Sequence, residues 1–174
     1  MRILVAYATK SGSTAGIAQA VGEELGRMGL DPEVRPVDQV KDVRSYDAVL
    51  LGSAIYLGKW RKEALAFGQR HADALRGRPV WLFDSGPLNP TPDQGKNEPV
   101  EEADELVRAI GARARITFGG RLIEEDAGWF TRRLVENDKT GNLMFGDFRN
   151  FERIREWARE VGTELRVVQP AEAR

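Results

Sequence analysis

The 174-residue sequence contains no cysteine and a single histidine, His71. The first absence removes disulfides, thiolate metal sites and cysteine nucleophiles, and the two together leave little basis for a zinc or iron site. Redox chemistry would therefore need a bound organic cofactor. An excess of charge of one sign is missing as well. With 26 Lys and Arg against 27 Asp and Glu, the formal charge is −1, which offers no electrostatic footprint for nucleic acid. Long hydrophobic runs are also lacking: the apolar stretch at the N-terminus, Ile3 to Ala8, is too short for a signal peptide or a membrane span, and residence in the cytoplasm is the expectation. What is present is 41% apolar residues, enough to bury the core of one α/β domain. Residues 1–168 are expected to form that domain, with 169–174 a short C-terminal tail.

Ile3-Leu4-Val5-Ala6-Tyr7-Ala8 reads as a strand buried on both faces of a parallel sheet. Between Thr14 and Met28, the residues Ile17, Ala18, Val21, Leu25 and Met28 recur on one helical face, and Gly29 marks a stop. Glu33 to Val37 is a strand that Pro32 and Pro36 confine to an edge. Ala48 to Ser53 is the next buried strand, followed by helical spacing through Ala64, Leu65, Gly68, Ala72 and Leu75. Pro79 to Phe83 gives a fourth strand, and a loop rich in Pro, Gly and Asn follows, from Asp84 to Asn97. Pro99 opens a helix with Glu101 and Glu102 in its first turn and Val100, Ala103, Leu106, Val107 and Ile110 on one face. Arg115 to Leu122 is the fifth strand. Phe151, Ile154, Ala158, Val161 and Leu165 define a last helix, with Asp147 or Asn150 as its cap. The alternation predicts an α/β fold with a doubly wound, five-stranded parallel sheet. A long insertion, residues 123–146, precedes the last helix and exceeds what such connections need.

In a doubly wound sheet, ligands bind beyond the carboxyl ends of the strands where the order reverses; in the order 2-1-3-4-5 that crevice lies between strands one and three. After strand one, Thr9-Lys10-Ser11-Gly12-Ser13-Thr14 offers four hydroxyls and a run of amides at a helix N-terminus. That arrangement satisfies a phosphate dianion without an arginine clamp, and Gly12 lets the backbone approach closely. A plain turn that caps the helix is the competing reading. The spacing G-x-G-x-x-G and a closing Gly-Lys-Ser/Thr are both absent, which leaves a mononucleotide phosphate as the best fit. His71, at the border of an apolar face, reads as structural, and Trp81 and Trp157 read as core.

Tyr7 to Thr14, followed by Ala18, resembles the FMN-phosphate loop of the flavodoxins, hydroxyl-x-Thr-Gly-x-Thr-x-x-x-Ala, with Ser11 in place of the usual Thr. The similarity extends to Gly52-Ser53-Ala54-Ile55-Tyr56-Leu57-Gly58-Lys59-Trp60 and Phe118-Gly119-Gly120-Arg121-Leu122, and resumes at Gly146-Asp147-Phe148. Within that superfamily the chain is most similar to the menaquinone-dependent protoporphyrinogen oxidases. They have a Gly-Ala-Ser-Ile second loop, which Gly52-Ser53-Ala54-Ile55 matches with its middle pair exchanged, a Phe-x-Gly-x-Leu fifth strand and a long insertion before the final helix.

The resemblance implies the flavodoxin-like order 2-1-3-4-5 and FMN as the cofactor. Thr9, Lys10, Ser11, Gly12, Ser13 and Thr14 would hold the phosphate. Ser53, Ala54, Ile55, Tyr56, Gly58 and Trp60 on one side, and Ser85, Gly86, Pro87, Leu88 and Asn89 on the other, would flank the isoalloxazine ring. Tyr56 and Trp60 are the candidates to stack on it. Trp60 has a competing reading as a residue packed in the first turn of a helix. Typical flavodoxins carry an aromatic in each ring loop, and residues 85–89 supply none, which leaves one flavin face open to a substrate. The activity implied is an FMN oxidoreductase in which the flavin N5 accepts a hydride and electrons pass on to a quinone.

A tetrapyrrole or quinone substrate, with peripheral membrane contact, would suit the interleaved apolar and basic residues Gly128 to Val135. The alternative for that stretch is a short helix packing Phe130 and Leu134 on the sheet edge with solvated arginines. The alternative function is a one-electron carrier, against which the near-zero charge counts, unless Asp84, Asp93 and Glu98 form a local acidic patch. A receiver-type regulator of the same strand order would need acidic residues where Ala6-Tyr7-Ala8-Thr9 and Gly52-Ser53 stand.

Overall fold

The computed structural model describes residues 1–86, 88, 97–125, 127–141 and 143–168. The expected tail and the expected site residues Pro87 and Asn89, together with Asp93, lie outside them. Strand β1 (Arg2–Ala8) leads to helix α1 (Ser13–Arg27), then β2 (Asp31–Pro36), β3 (Ala48–Tyr56) and a two-residue strand β4 (Lys59–Trp60). Helices α2 (Lys62–Arg70) and α3 (Ala72–Arg76) precede β5 (Val80–Ser85), α4 (Glu101–Ile110) and β6 (Ala114–Phe118). The chain ends through β7 (Arg121–Leu122), α5 (Trp129–Asn137), β8 (Gly146–Asp147) and α6 (Phe151–Val168).

The main sheet runs β2-β1-β3-β5-β6, all parallel, with β4 folded back antiparallel on the end of β3. With that hairpin strand set aside, the order is 2-1-3-4-5 as expected. Side-chain alternation along each strand builds two cores. Leu4, Val49, Leu51 and Leu82 face one way, onto Phe67, Leu75, Ala103, Leu106 and Ile110 of α2, α3 and α4. Ile3, Val5, Leu50, Trp81 and Phe83 face the other, onto Ile17, Val21, Leu25, Ile154, Trp157 and Leu165 of α1 and α6. The result is a helix–sheet–helix sandwich whose strand ends open on one edge.

Three elements differ from the sequence reading. The second helical region breaks at His71, whose φ of −102° and ψ of 11° leave the helical region and separate α2 from α3. His71 itself packs edge-on against Phe67, and burial pushes its imidazole below the usual range. The fifth strand splits at Gly119-Gly120, because after Phe118 the chain leaves the main sheet and pairs β7 with β8 instead. A Cβ on Gly120 would lie 3.1 Å from the Gly86 carbonyl oxygen, a tight approach that a larger residue could keep only if the neighbour gave way by a few tenths of an ångström. The insertion contains α5, in which no residue is buried. Asn150 caps α6 by accepting from Arg153 N at 3.1 Å, whereas Asp147 is taken by Arg149.

Candidate functional site

The loop that follows β1 enters α1 through Gly12, whose φ of 77° is left-handed and which supplies no side-chain cap. The first-turn amides of α1 are thus left without a capping side chain. Close by, the Thr9 Oγ1 is buried and has no hydrogen-bond partner among the described residues. The bare amides call for an acceptor and the Thr9 hydroxyl can donate to one, and the oxygens of a phosphate monoester at a helix N-terminus satisfy both. Behind the loop, three buried hydroxyls fasten it to the sheet. Thr14 Oγ1 and Ser85 Oγ share a bond of 3.1 Å, Ser85 Oγ reaches Ser13 Oγ at 3.3 Å, and Arg121 N donates to Ser13 Oγ at 3.0 Å.

From there a cleft of about 910 Å³ runs outward, at the upper end of the sizes usual for cofactor pockets. The structure brings Thr9, Lys10, Ser11, Ser13, Ala54, Ile55, Tyr56, Gly58, Ser85, Gly86 and Leu88 to its walls. Gly12 and Thr14 belong to the same loop without lining the cleft. Ser53 turns inward: it is buried, accepts from Arg61 N at 2.9 Å and donates to the Ala54 carbonyl, closing the β3–β4 hairpin.

The expectation that Trp60 stacks on the ring is corrected. Its indole is 3% exposed and donates Nε1–H to Asp84 Oδ2 at 3.1 Å, so it packs in the core and presents no face to the cleft. The pairing of β4 with β3 places Trp60 opposite Ile55 and folds it inward. Tyr56 does line the cleft. The Lys10 ammonium sits 3.2 Å from its ring centroid, and Lys10, with a smaller part from the Thr131 hydroxyl, holds the phenol below its usual range. The acidic surface patch is corrected too, since Asp84 is wholly buried.

Further residues complete the walls. Gly120, Arg121 and Leu122 line the cleft, Glu98 contributes the single carboxylate among the described lining residues, and Trp129, Phe130, Leu134 and Val135 of α5, within the stretch the sequence matched to a tetrapyrrole or quinone, form one side. The resemblance already included Gly119 to Leu122 and gave the first signal, whereas Glu98 entered the sequence reading only within the acidic patch weighed with Asp84 and Asp93. The arginines of α5 are not both solvated: Arg132 folds back to the carbonyls of Ala127 and Glu124 at 3.0 and 2.9 Å.

The family model described as flavodoxin domain matches residues 4–140. The chain is 28% identical to a protein of Escherichia coli strain K12 named protoporphyrinogen IX dehydrogenase [quinone], over 92% of this chain and 94% of that one. Among solved structures, a flavodoxin from the domain Archaea is similar with a TM-score of 0.61 at 15% identity, covering 95% of this chain and 99% of that one. Rubredoxin oxygen:oxidoreductase of Desulfovibrio gigas gives a TM-score of 0.63 at 11% identity, over 95% of this chain and 36% of that one.

Proposed function

Because the chain belongs to the flavodoxin domain family and FMN is its cofactor, we propose that it is an oxidoreductase that takes electrons from a reduced tetrapyrrole and delivers them to a quinone. The likeness to a protein named for that reaction supports the reading. The observation that carries it is the shape of the cleft: beyond the phosphate loop, the side made by α5 offers Trp129, Phe130, Leu134 and Val135 to a flat apolar molecule, next to the cations of Lys10 and Arg121. A bound flavin supplies hydride and electron-transfer chemistry. The chain's own groups bind and orient. Thr9, Ser11, Ser13 and the amides of α1 take the phosphate, Tyr56, Ser85, Gly86 and Leu88 border the ring, and α5 holds the partner molecule against it.

Peripheral membrane contact fits the same region. Leu57, Trp129, Phe130, Leu143 and Met144 make up all but one of the exposed large apolar residues described, and four of the five border the cleft mouth. Such a rim suits the polar–apolar boundary of a lipid surface, where quinone tails reside. No described helix is long and apolar enough to cross a membrane.

The test is an anaerobic assay of FMN-loaded protein with protoporphyrinogen and either a soluble menaquinone analogue or menaquinone in phospholipid vesicles, following porphyrin fluorescence against a protein-free control. Quinone-dependent turnover, faster with vesicles that carry the protein on flotation, is the expected result. With FMN bound and no turnover, the reading gives way to an electron carrier.

A further inference from the structure

The two segments bordering the ring end of the cleft, the β3–β4 turn with Tyr56 and Gly58 and the Ser85-Gly86 end of β5, both lead back to Asp84. This carboxylate is fully buried and does not line the cleft. Its Oδ2 accepts two hydrogen bonds, from Trp60 Nε1 at 3.1 Å and from Arg115 Nε at 2.7 Å. Trp60 stands one residue past the turn and pairs with Ile55, so the first bond fixes where Tyr56 and Gly58 stand. Arg115, with its side chain 4% exposed, uses its remaining nitrogens on Asp104 Oδ1 at 2.8 Å and on the Glu98 carbonyl at 2.6 Å. Glu98 is held from its other side as well, its N–H donating to Thr117 Oγ1 at 3.0 Å, and Asn97 bonds the backbone of both Arg115 and Thr117.

Burial pushes the Asp84 carboxyl above the usual range, against the pull of the Arg115 guanidinium. Burying an ion pair is costly, and well-packed apolar residues would serve stability as well or better. What the pair supplies is geometry: one carboxylate is common to the hairpin turn, the strand end and the returning stem that carries Glu98.

We propose that Asp84, acting through Trp60 and Arg115, is a positioning residue that sets the two ring-flanking segments and the Glu98 stem at the spacing a flavin ring requires. It does so without touching the phosphate loop through either partner. The consequence is independent of which substrate the protein oxidises, because it concerns how the ring is gripped.

The experiment compares FMN with riboflavin, which has the ring and no phosphate, in titrations of wild type, Trp60→Phe and Arg115→Lys. Trp60→Phe keeps a buried aromatic and deletes one N–H to a charged acceptor; Arg115→Lys keeps the charge and gives up the forked reach to Glu98. Each is expected to weaken the binding of FMN and riboflavin by the same factor and to change the visible circular dichroism of the bound flavin at saturation. The apoprotein far-ultraviolet spectrum and wild-type FMN binding in the same series separate this result from misfolding and from an error about the cofactor. Wild-type affinities and an unchanged flavin spectrum in both folded variants would overturn the proposal, as would a loss confined to FMN.

Discussion

Thr9→Val should strengthen the empty protein and weaken its hold on FMN, two effects of opposite sign from one atom. The Thr9 hydroxyl is buried with no partner among the described residues, and a buried, unsatisfied polar group costs about 1–3 kcal/mol. Valine has nearly the same outline and removes the hydroxyl. The lower end of that range, about 1 kcal/mol, corresponds to a rise of roughly 2–4 °C in the melting temperature of an apoprotein of this size. Under the proposed phosphate assignment, the same hydroxyl would donate to a phosphate oxygen when FMN is bound, a bond to a charged acceptor worth about 1.5–3 kcal/mol. Its loss weakens the dissociation constant roughly 10- to 150-fold. Two assays suffice: thermal unfolding of the apoprotein, and quenching of flavin fluorescence on titration with FMN and with riboflavin. Riboflavin affinity should be unchanged. A lower apoprotein melting temperature would mean that the hydroxyl has a partner, and an equal loss for FMN and riboflavin would mean that Thr9 does not meet the phosphate. Either result refutes the reasoning.

Two further outcomes follow from the backbone and from the surface charges. Leu57 and Gly58 form the two-residue turn between β3 and β4 with φ of 51° and 72°, the left-handed pair that favours Asn-Gly. Leu57→Asn should therefore raise the melting temperature by roughly 2–4 °C, about 1 kcal/mol, since the leucine side chain is 64% exposed and gives up little packing; a fall would count against the turn assignment. Asp42 accepts from both Nε and the backbone N of Arg44 at 3.0 Å, which holds its carboxyl down at about 2 from an ordinary 3.8. A depressed carboxylate contributes stability that is complete above its unfolded value and is lost as pH falls through the folded one. The melting temperature of wild type should thus drop more steeply than that of Asp42→Asn between pH 4 and pH 2, and parallel curves would contradict the assignment.

Much of this was legible in the chain because it is local. The run Ile3 to Ala8 is continuous and apolar because β1 is covered on both faces, and the loop from Thr9 to Thr14 carries its hydroxyls and Gly12 at the spacing a helix N-terminus imposes. Pro32 and Pro36 marked β2 as an edge, where a missing N–H costs nothing. Trp60 shows where locality ends. In sequence it stands among candidate ring contacts, yet its orientation is decided by the antiparallel pairing of β4 with β3 and by an acceptor 24 positions later, Asp84. Asp84 and Glu98 read as members of one acidic patch; one is buried under an arginine from β6, and the other lines the cleft with its carbonyl held by the same arginine.

The sequence by itself therefore determined the five main strands, the doubly wound sheet they form and the hydroxyl-rich loop before α1, since each depends on residues adjacent along the chain or on one periodic face. Only the tertiary structure decided which side chains reach the cleft, that α5 forms one of its sides, and that the Asp84–Arg115 pair lies beneath the ring-flanking segments. Those features depend on contacts between residues far apart in sequence, whose distances no local pattern encodes.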